Sequence, residues 1–181
     1  MLDLRPYREN DAERILSWCG DERTFYRWTA GVLGDYPLTA VQFINRMSGL
    51  TAFTAVEDGE PAGFFTLRRP GEAPGELRVG FVIVDAQKRG RGYGKELLRL
   101  ALKLAREIYG AKRVSLGVFE DNRPARCCYR AVGFVEVASE KTETYHVMGE
   151  DWSCVEMELV FEPNGCGLHE ACPAAGEQNL I

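Results

Sequence analysis

The sequence lacks the features that mark membrane, secreted and nucleic-acid-binding proteins. Its 181 residues contain no apolar run near the roughly 20 residues that a membrane-spanning helix needs. The first ten residues lack the basic-then-apolar order of a secretory signal. The formal net charge is −5, whereas nucleic-acid-binding domains usually carry a basic excess. These absences predict a soluble, cytoplasmic protein that binds neither membrane nor nucleic acid.

Histidine is also scarce, and the cysteines do not follow a metal-binding spacing. The chain has two histidines and six cysteines, and without an export signal we expect the thiols to be free and buried. Cys166, His169 and Cys172 lack the paired C-x-x-C spacing of zinc sites. Cys127 and Cys128 have no histidine at a recognisable spacing, which disfavours a covalent route through these thiols. No metal is predicted.

The apolar pattern predicts one domain with both strands and helices. The chain is long enough for one domain and short for two. Asp58-Gly59 predicts a hairpin turn, and Glu76–Val84 is nearly continuous in apolar residues, as a buried central strand is. From Tyr93 to Tyr109 the apolar spacing becomes helical. The other predicted elements are an edge strand over 1–5, helices over 21–28 and from Thr39, a strand over 114–119, a helix between Asn122 and Gly133, and closing strands over 134–139 and 154–161.

The order of these elements indicates an α/β (α+β) fold. The segment Glu76–Phe134 alternates strand and helix, and its first crossover implies a parallel strand pair. The hairpins on either side favour antiparallel neighbours, so the sheet is expected to be mixed. We expect the domain to span residues 1–162. Residues 163–181 have no periodicity and are predicted to form a tail of unknown role.

The turn between the central strand and the long helix is rich in glycine and in positive charge. Gly90, Gly92 and Gly94 let backbone N–H groups approach a ligand closely. The helix start adds unpaired N–H donors and a partial positive charge, which predicts a phosphate or pyrophosphate site. The turn is not a Walker P-loop, which needs Ser or Thr after Gly94-Lys95, and it lacks the third glycine of a dinucleotide fingerprint. A tight turn with solvated charges is the alternative.

A second pair of polar residues lies on the next predicted helix. Asn122 and Tyr129 are seven positions apart, which places them on one helix face. Asn122 could cap the helix or contact a ligand. Tyr129 carries a phenolic proton with a reference pKa of about 10, which suits a general acid for a thiolate leaving group. Taken alone, both residues also fit a helix cap and a half-buried aromatic.

Together these motifs resemble the GCN5-related N-acetyltransferase (GNAT) superfamily. Its phosphate-binding pattern, R/Q-x-x-G-x-G/A, is matched by Arg89, Gly92 and Gly94. Its second signature, N-x-x-A-x-x-x-Y-x-x-x-G-F, is matched over 122–134. The resemblance is strong over 76–134 and extends, more weakly, over 1–161. The matching residues of the second signature are Asn122, Ala125, Tyr129, Gly133 and Phe134.

The resemblance implies a cofactor, a reaction and roles for several residues. Acetyl-CoA would be the co-substrate, and a primary amine would attack its thioester directly in a ternary complex. The sheet would be mostly antiparallel with a splayed parallel strand pair. Asn122 would contact the cofactor, and Tyr129 would protonate the departing thiolate. The pyrophosphate would bind to Arg89, Gly90, Arg91, Gly92, Tyr93, Gly94 and Lys95, and the pantetheine would pair with Val82, Ile83 and Val84.

The sequence does not identify the general base. Glu76 lies thirteen residues before Arg89, as in the histone-acetylating branch, although a solvated strand-end carboxylate explains it equally well. The branch that acetylates ribosomal-protein N-termini places a glutamate at the position of Gly117, which argues against that branch's mechanism. Glu120, His146 and ordered water are weaker candidates.

The acceptor cannot be identified from the sequence. Phe25, Tyr26, Trp28 and Tyr36 could line an acceptor pocket, but helical core packing is the safer interpretation. The resemblance allows a homodimer. The alternative to an enzyme is a non-catalytic CoA-binding or protein-interaction module with the same fold. The expected acceptor is therefore a primary amine of an unidentified small molecule, protein or peptide.

Overall fold

A computed structural model describes residues 1–71, 74–138 and 143–162. These residues form one eight-stranded sheet with helices packed against it. The predicted tail, 163–181, lies outside the described residues. The strands are β1 (Asp3–Pro6), β2 (Thr51–Glu57), β3 (Glu60–Arg68), β4 (Glu76–Val84), β5 (Arg113–Phe119), β6 (Val135–Glu136), β7 (Glu143–Val147) and β8 (Glu150–Val160). The α-helices are α1 (Ala12–Leu16), α2 (Glu22–Thr29), α3 (Ala40–Met47), α4 (Tyr93–Glu107) and α5 (Arg123–Ala131).

The sheet has the order β1-β2-β3-β4-β5-β8-β6, and β7 pairs with β8. Among the described strands, β4 and β5 form the parallel pair and all other neighbours are antiparallel. The parallel register covers only Glu76–Arg78 against Arg113–Ser115, although both strands continue further. The two strands therefore separate after Arg78. This arrangement confirms the predicted fold class, including the splayed pair.

Two apolar clusters hold helices against the sheet. Successive residues of β3 belong to different clusters, because they point to opposite faces of the sheet. Phe65 packs with α4 and α5, and Phe64 packs with α1, α2 and α3. The amphipathic helix α4 comes close to the sheet because Gly63 has no side chain, and a Cβ there would be 3.0 Å from Leu97. The start of α4 is thus fixed beside the end of β4.

The C-terminal strands differ from the prediction. The strand predicted over 134–139 is observed only at Val135–Glu136, and β7 was not predicted. The strand predicted over 154–161 begins earlier, at Glu150. β7 and β8 form a hairpin whose turn, Met148-Gly149, has positive φ angles of 55° and 74°. No helix in residues 1–71, 74–138 and 143–162 is both long and apolar enough to cross a membrane.

Candidate active site

A cavity of about 890 Å³ occupies the gap between the separating strands β4 and β5. Residues from α2, α4 and α5 complete its wall. Three residues predicted for the site, Glu76, Arg91 and Tyr93, are not part of this wall. The predicted residues that line it are Val82, Ile83, Val84, Arg89, Gly90, Gly92, Gly94, Lys95, Asn122 and Tyr129.

A β-bulge shapes the β4 wall of the cavity. Phe81 and Val82 lie opposite the single residue Phe65 of β3, and Phe81 has a positive φ of 48°. The indole N–H of Trp28 donates to the Phe81 carbonyl at 2.8 Å. Beyond Arg78, β4 has no ladder partner on β5. Backbone groups on this edge of β4 therefore remain available to a ligand that enters the gap.

The glycine-rich turn presents a row of unused backbone donors. Within the described part of the chain, the N–H groups of five consecutive residues, 90–94, donate to no other group. Gly90 and Gly92 have φ angles of 73° and 88°, and a Cβ at either position would meet no atom within 4 Å. Gly92 is the N-cap of α4. Converging N–H groups at a helix N-terminus, with open space before them, form a site suited to a phosphate group.

Side chains hold this turn in position. The guanidinium of Arg89 donates to the carbonyl oxygens of Trp18, at 2.9 Å, and Val84, at 3.3 Å. The hydroxyl of Tyr93 donates to Glu57 at 2.6 Å. Arg89 therefore ties the turn to the loop after α1, while Tyr93 fixes the start of α4 to β2. The Tyr93 hydroxyl is thus bound to Glu57, whereas its backbone N–H is one of the unused donors.

Glu76 lies away from the cavity. Its carboxylate pairs with Arg113 at 2.6 Å, at the end of β4 where the parallel strands are still joined. This position argues against Glu76 as a general base. His146 is no better placed, because it pairs with Asp151 at 2.8 Å and both side chains are 73% exposed. Glu120, like these two, is absent from the cavity wall.

Helix α5 brings Asn122 and Tyr129 to the same cavity. The Asn122 side-chain oxygen accepts from the backbone N–H of Ala125 at 3.3 Å, so this residue caps the helix and also lines the cavity. The Tyr129 hydroxyl makes no hydrogen bond to any described residue, and the side chain is 9% exposed. Burial raises the pKa of Tyr129, so the phenol is protonated at neutral pH.

The end of the cavity beside α2 and β7 contains arginines and aromatic rings. Arg27 of α2 pairs with Asp121 at the start of α5, and Tyr145 of β7 lines the wall. Burial, with a hydrogen bond to Glu143, raises the pKa of Tyr145 to about 12. Of the four N-terminal aromatics considered above, Trp28 lines the cavity and the other three do not. Their ring contacts fit the core-packing interpretation.

Arg78 is the functional candidate that sequence reasoning missed. Its side chain is 18% exposed, lines the cavity, and binds Glu156 of β8 and, at 3.2 Å, the hydroxyl of Ser115. Burial opposes the charge of Arg78, but the hydrogen bond and the charge of Glu156 outweigh it and raise its pKa. The sequence did contain a signal for this residue, since Arg78 places a charge inside the apolar run of Glu76–Val84.

The four described cysteines are free, and their exposure differs. Cys19 is buried, as predicted, but Cys127 is exposed, so the prediction of buried thiols was wrong there. Cys128 and Cys154 are half-buried and line the cavity, and burial raises the pKa of both thiols. The residues that the structure describes contain no group of three potential metal ligands. Cys166, His169 and Cys172 lie outside them.

Comparison with known proteins agrees with this geometry. The model of the acetyltransferase (GNAT) family matches residues 12–134, which is more than half of the chain. The chain belongs to this family. The predicted family and the predicted class of enzyme, an acetyltransferase, are thereby confirmed at the level of the family.

Individual relatives of this GNAT chain act on different amines according to their names. It is 33% identical over 108 residues to an N-alpha-acetyltransferase of Sulfurisphaera tokodaii, covering 55% of this chain and 64% of the relative. It is 35% identical over 60 residues to a spermine/spermidine N(1)-acetyltransferase of Bacillus subtilis, covering 33% of this chain and 40% of the relative. These matches span less than two thirds of the relatives' lengths.

The solved structures show the same fold. The spermidine N-acetyltransferase of Vibrio cholerae, crystallised with CoA and spermine, superposes with a TM-score of 0.72 at 16% identity. The superposition covers 88% of this chain and 95% of that protein. At this identity the likeness establishes the architecture and leaves the acceptor open.

Proposed function

We propose that this chain transfers the acetyl group of acetyl-CoA to a primary amine by direct attack in a ternary complex. One observation supports this proposal most strongly. Gly90, Gly92 and Gly94, whose N–H groups are unused, line the same cavity as Tyr129, whose hydroxyl is unpaired, and this cavity lies between strands that have separated. A CoA molecule laid along β4 would bring its diphosphate to these N–H groups and its thioester toward the hydroxyl.

Each predicted cofactor residue has a proposed role in this arrangement. The N–H groups from Gly90 to Gly94 bind the pyrophosphate, with Arg89 and Lys95 adding positive charge. The exposed edge of β4 at Val82–Val84 pairs with the pantetheine amides. Asn122, whose side-chain oxygen caps α5, has its amide N–H₂ available for the cofactor.

The chemical step needs little beyond positioning and charge stabilisation. Backbone N–H groups at the β4 bulge stabilise the oxyanion that forms when the amine attacks the thioester carbonyl. Tyr129 is the proposed general acid for the CoA thiolate. Because its pKa is raised, Tyr129 carries its proton at neutral pH. After Tyr129 has given this proton to the thiolate, the surplus proton on the attacking nitrogen reprotonates the phenol.

The acceptor is proposed to be a primary amine of a small molecule or of a protein or peptide. An alkyl amine with a pKa near 10 is only about 0.1% neutral at pH 7, so the site must favour the neutral form. Arg27 and Arg78 in the cavity wall act in this direction, because nearby cations lower the pKa of an ammonium group. A cytoplasmic location, expected from the sequence composition, and a homodimer, which the family resemblance allows, are further proposals.

An amine panel tests the proposal directly. The protein is incubated with acetyl-CoA and with polyamines, amino acids, aminoglycosides and peptides that have free N-termini or lysines. Release of CoA thiol is followed spectroscopically, and acetylated products are identified by mass spectrometry. We expect amine-dependent thiol release and one product class. Tight acetyl-CoA binding without any acetylated amine would favour a non-catalytic CoA-binding module instead.

A further inference from the structure

A carboxylate oxygen lies behind the cavity wall where one residue has no side chain. Glu156 of β8 uses Oε1 to accept from Arg78, while its Oε2 makes no hydrogen bond to any described residue. Gly117 of β5 pairs in register with Glu156 and lines the cavity. The Oε2 atom lies 3.9 Å from the position that a Cβ would take at Gly117. This unused oxygen therefore lies beside Gly117, a residue of the cavity wall.

The surrounding residues pack closely around Gly117 and hold the carboxylate in place. A Cβ at Gly117 would be 2.8 Å from Nη2 of Arg78 and 2.9 Å from Sγ of Cys154. Both distances are shorter than real Cβ contacts, so a side chain at position 117 would have to displace Arg78 or Cys154. Arg78, held also by Ser115, fixes the orientation of Glu156 at the point where β4 and β5 separate. The Arg78–Glu156 pair thus lies where β4 and β5 separate.

Other carboxylates are less well placed to take a proton from an amine in the cavity. The described part of the cavity wall contains no Asp, Glu or His. Glu76 and Glu158 pair with Arg113, which is outside the wall. Asp121 pairs with Arg27 and is 53% exposed, compared with 28% for Glu156. Glu156 combines an unused oxygen, partial burial and a position beside the wall residues Arg78 and Gly117.

We propose that Glu156 accepts the proton that the acceptor ammonium must lose before it attacks, directly or through one water. One proton passes from the ammonium to the carboxylate and then to solvent. The neutral nitrogen forms the C–N bond as the C–S bond breaks. A second proton on that nitrogen replaces the one given to the thiolate, and the third stays on the amide. The products are N-acetyl amine, CoA thiol and one released proton.

The inference rests on the proposed acetyl transfer, so its test uses the most active primary alkyl amine from the panel. We compare Glu156→Gln, which retains an oxygen that can accept from Arg78, with the wild type. The matched control is Glu158→Gln, on the same strand and two positions away. Among the described residues, Arg78 and Cys154 interact electrostatically with Glu156, and Glu143 interacts with both of them; all three are unchanged in both variants.

We expect kcat/KM for the amine to fall about 100-fold at pH 7 in Glu156→Gln and to stay at the wild-type value in Glu158→Gln. The difference in kcat/KM between the wild type and Glu156→Gln should become smaller as the pH rises toward the pKa of the amine, because more of the amine is then already neutral. The Kd for acetyl-CoA, measured by calorimetry, should not change. Glu156→Asp, which keeps the charge but withdraws the oxygen, should also lose rate.

Two results would overturn the inference while the wild type is active: a wild-type rate in Glu156→Gln, or an equal loss at every pH. The second would indicate a structural role, because loss of packing does not depend on protonation of the amine. An inactive wild type with every amine would instead overturn the proposed function.

Discussion

At the scale of single residues, Tyr129 is the proposed acid that is simplest to test. Replacing it with Phe removes one oxygen from a buried side chain and keeps the ring contact with Phe134. We expect Tyr129→Phe to lower kcat about 100-fold, because the CoA thiolate then leaves without a proton donor. The Kd for acetyl-CoA should not change. Steady-state thiol release and calorimetry measure the two quantities.

Tyr109→Phe is the matched control for this substitution. Tyr109 follows α4, lies outside the cavity wall and loses the same atom. Its activity should equal that of the wild type. If Tyr129→Phe kept full activity as well, another group, or water, would have to protonate the thiolate.

A second residue-scale prediction concerns stability and pH. Asp11 is 5% exposed and accepts from Arg5 at 2.7 and 2.8 Å and from Thr54 at 2.9 Å. Burial alone would raise its pKa, but these hydrogen bonds and one from the Arg8 N–H outweigh burial, so the pKa is lowered in the folded state. Because the folded protein favours the ionised form, this stabilisation is present above the unfolded pKa of about 3.9 and is lost as pH falls through the folded value.

Asp11→Asn should therefore reduce the free energy of unfolding at pH 7 by about 2 kcal/mol, since it weakens charge-assisted hydrogen bonds to a buried group. The difference between variant and wild type should narrow as the pH is lowered below about 4. Urea unfolding at pH 7 and at pH 3 measures both effects. An equal difference at the two pH values would show that Asp11 acts through its shape rather than its charge.

At the scale of secondary-structure elements, the β4–α4 turn carries the cofactor proposal. Gly92→Val should abolish acetyl-CoA binding, because φ is 88° and the Cβ would project into the open space before the N–H groups. Strain from the positive φ, about 1–2 kcal/mol, is expected in addition. Calorimetry with acetyl-CoA measures the loss.

Gly59→Val separates the two effects of that substitution. Gly59 lies in the β2–β3 hairpin and has a φ of 86°, and a Cβ at this position would likewise meet no atom within 4 Å. The substitution should cost similar stability and leave acetyl-CoA affinity unchanged. Unchanged affinity in Gly92→Val would mean that the diphosphate does not bind at this turn.

The elements that sequence predicted well share a strong local signal. Glu76–Val84 has the predicted bounds because its apolar run is bordered by loop residues, and Thr39 caps α3 as expected through its bond with Gln42. β7 was missed because its five residues, Glu143–Val147, are mostly polar and it is held by pairing with β8 rather than by its own apolar pattern. The same distinction applies to the residues of the candidate site. The glycine turn is contiguous in sequence, whereas Arg78, Gly117 and Glu156 meet only because three strands are neighbours.

At the scale of the whole molecule, binding of acetyl-CoA should be visible as a gain in stability. The cavity contacts β4, β5, α2, α4 and α5, so a ligand that fills it binds the folded chain and not the unfolded one. At a concentration 100 times Kd, this adds about 2.7 kcal/mol to the free energy of unfolding. For a chain of this length, the expected rise in Tm is roughly 5–10 °C.

The choice of nucleotide makes this measurement specific. ATP shares the adenine, ribose and phosphates of the cofactor but lacks the pantetheine that would lie along Val82–Val84, so it should raise Tm far less than acetyl-CoA does. Gly92→Val should show no rise with either ligand, while Gly59→Val should show the full rise with acetyl-CoA from a lower starting Tm. A larger shift with ATP would contradict the proposal, because the turn would then bind phosphates without the separated strands. The separated strands contribute to binding only if the pantetheine pairs with the unpaired edge of β4. The difference between the Tm rises with acetyl-CoA and with ATP measures this contribution of the pantetheine.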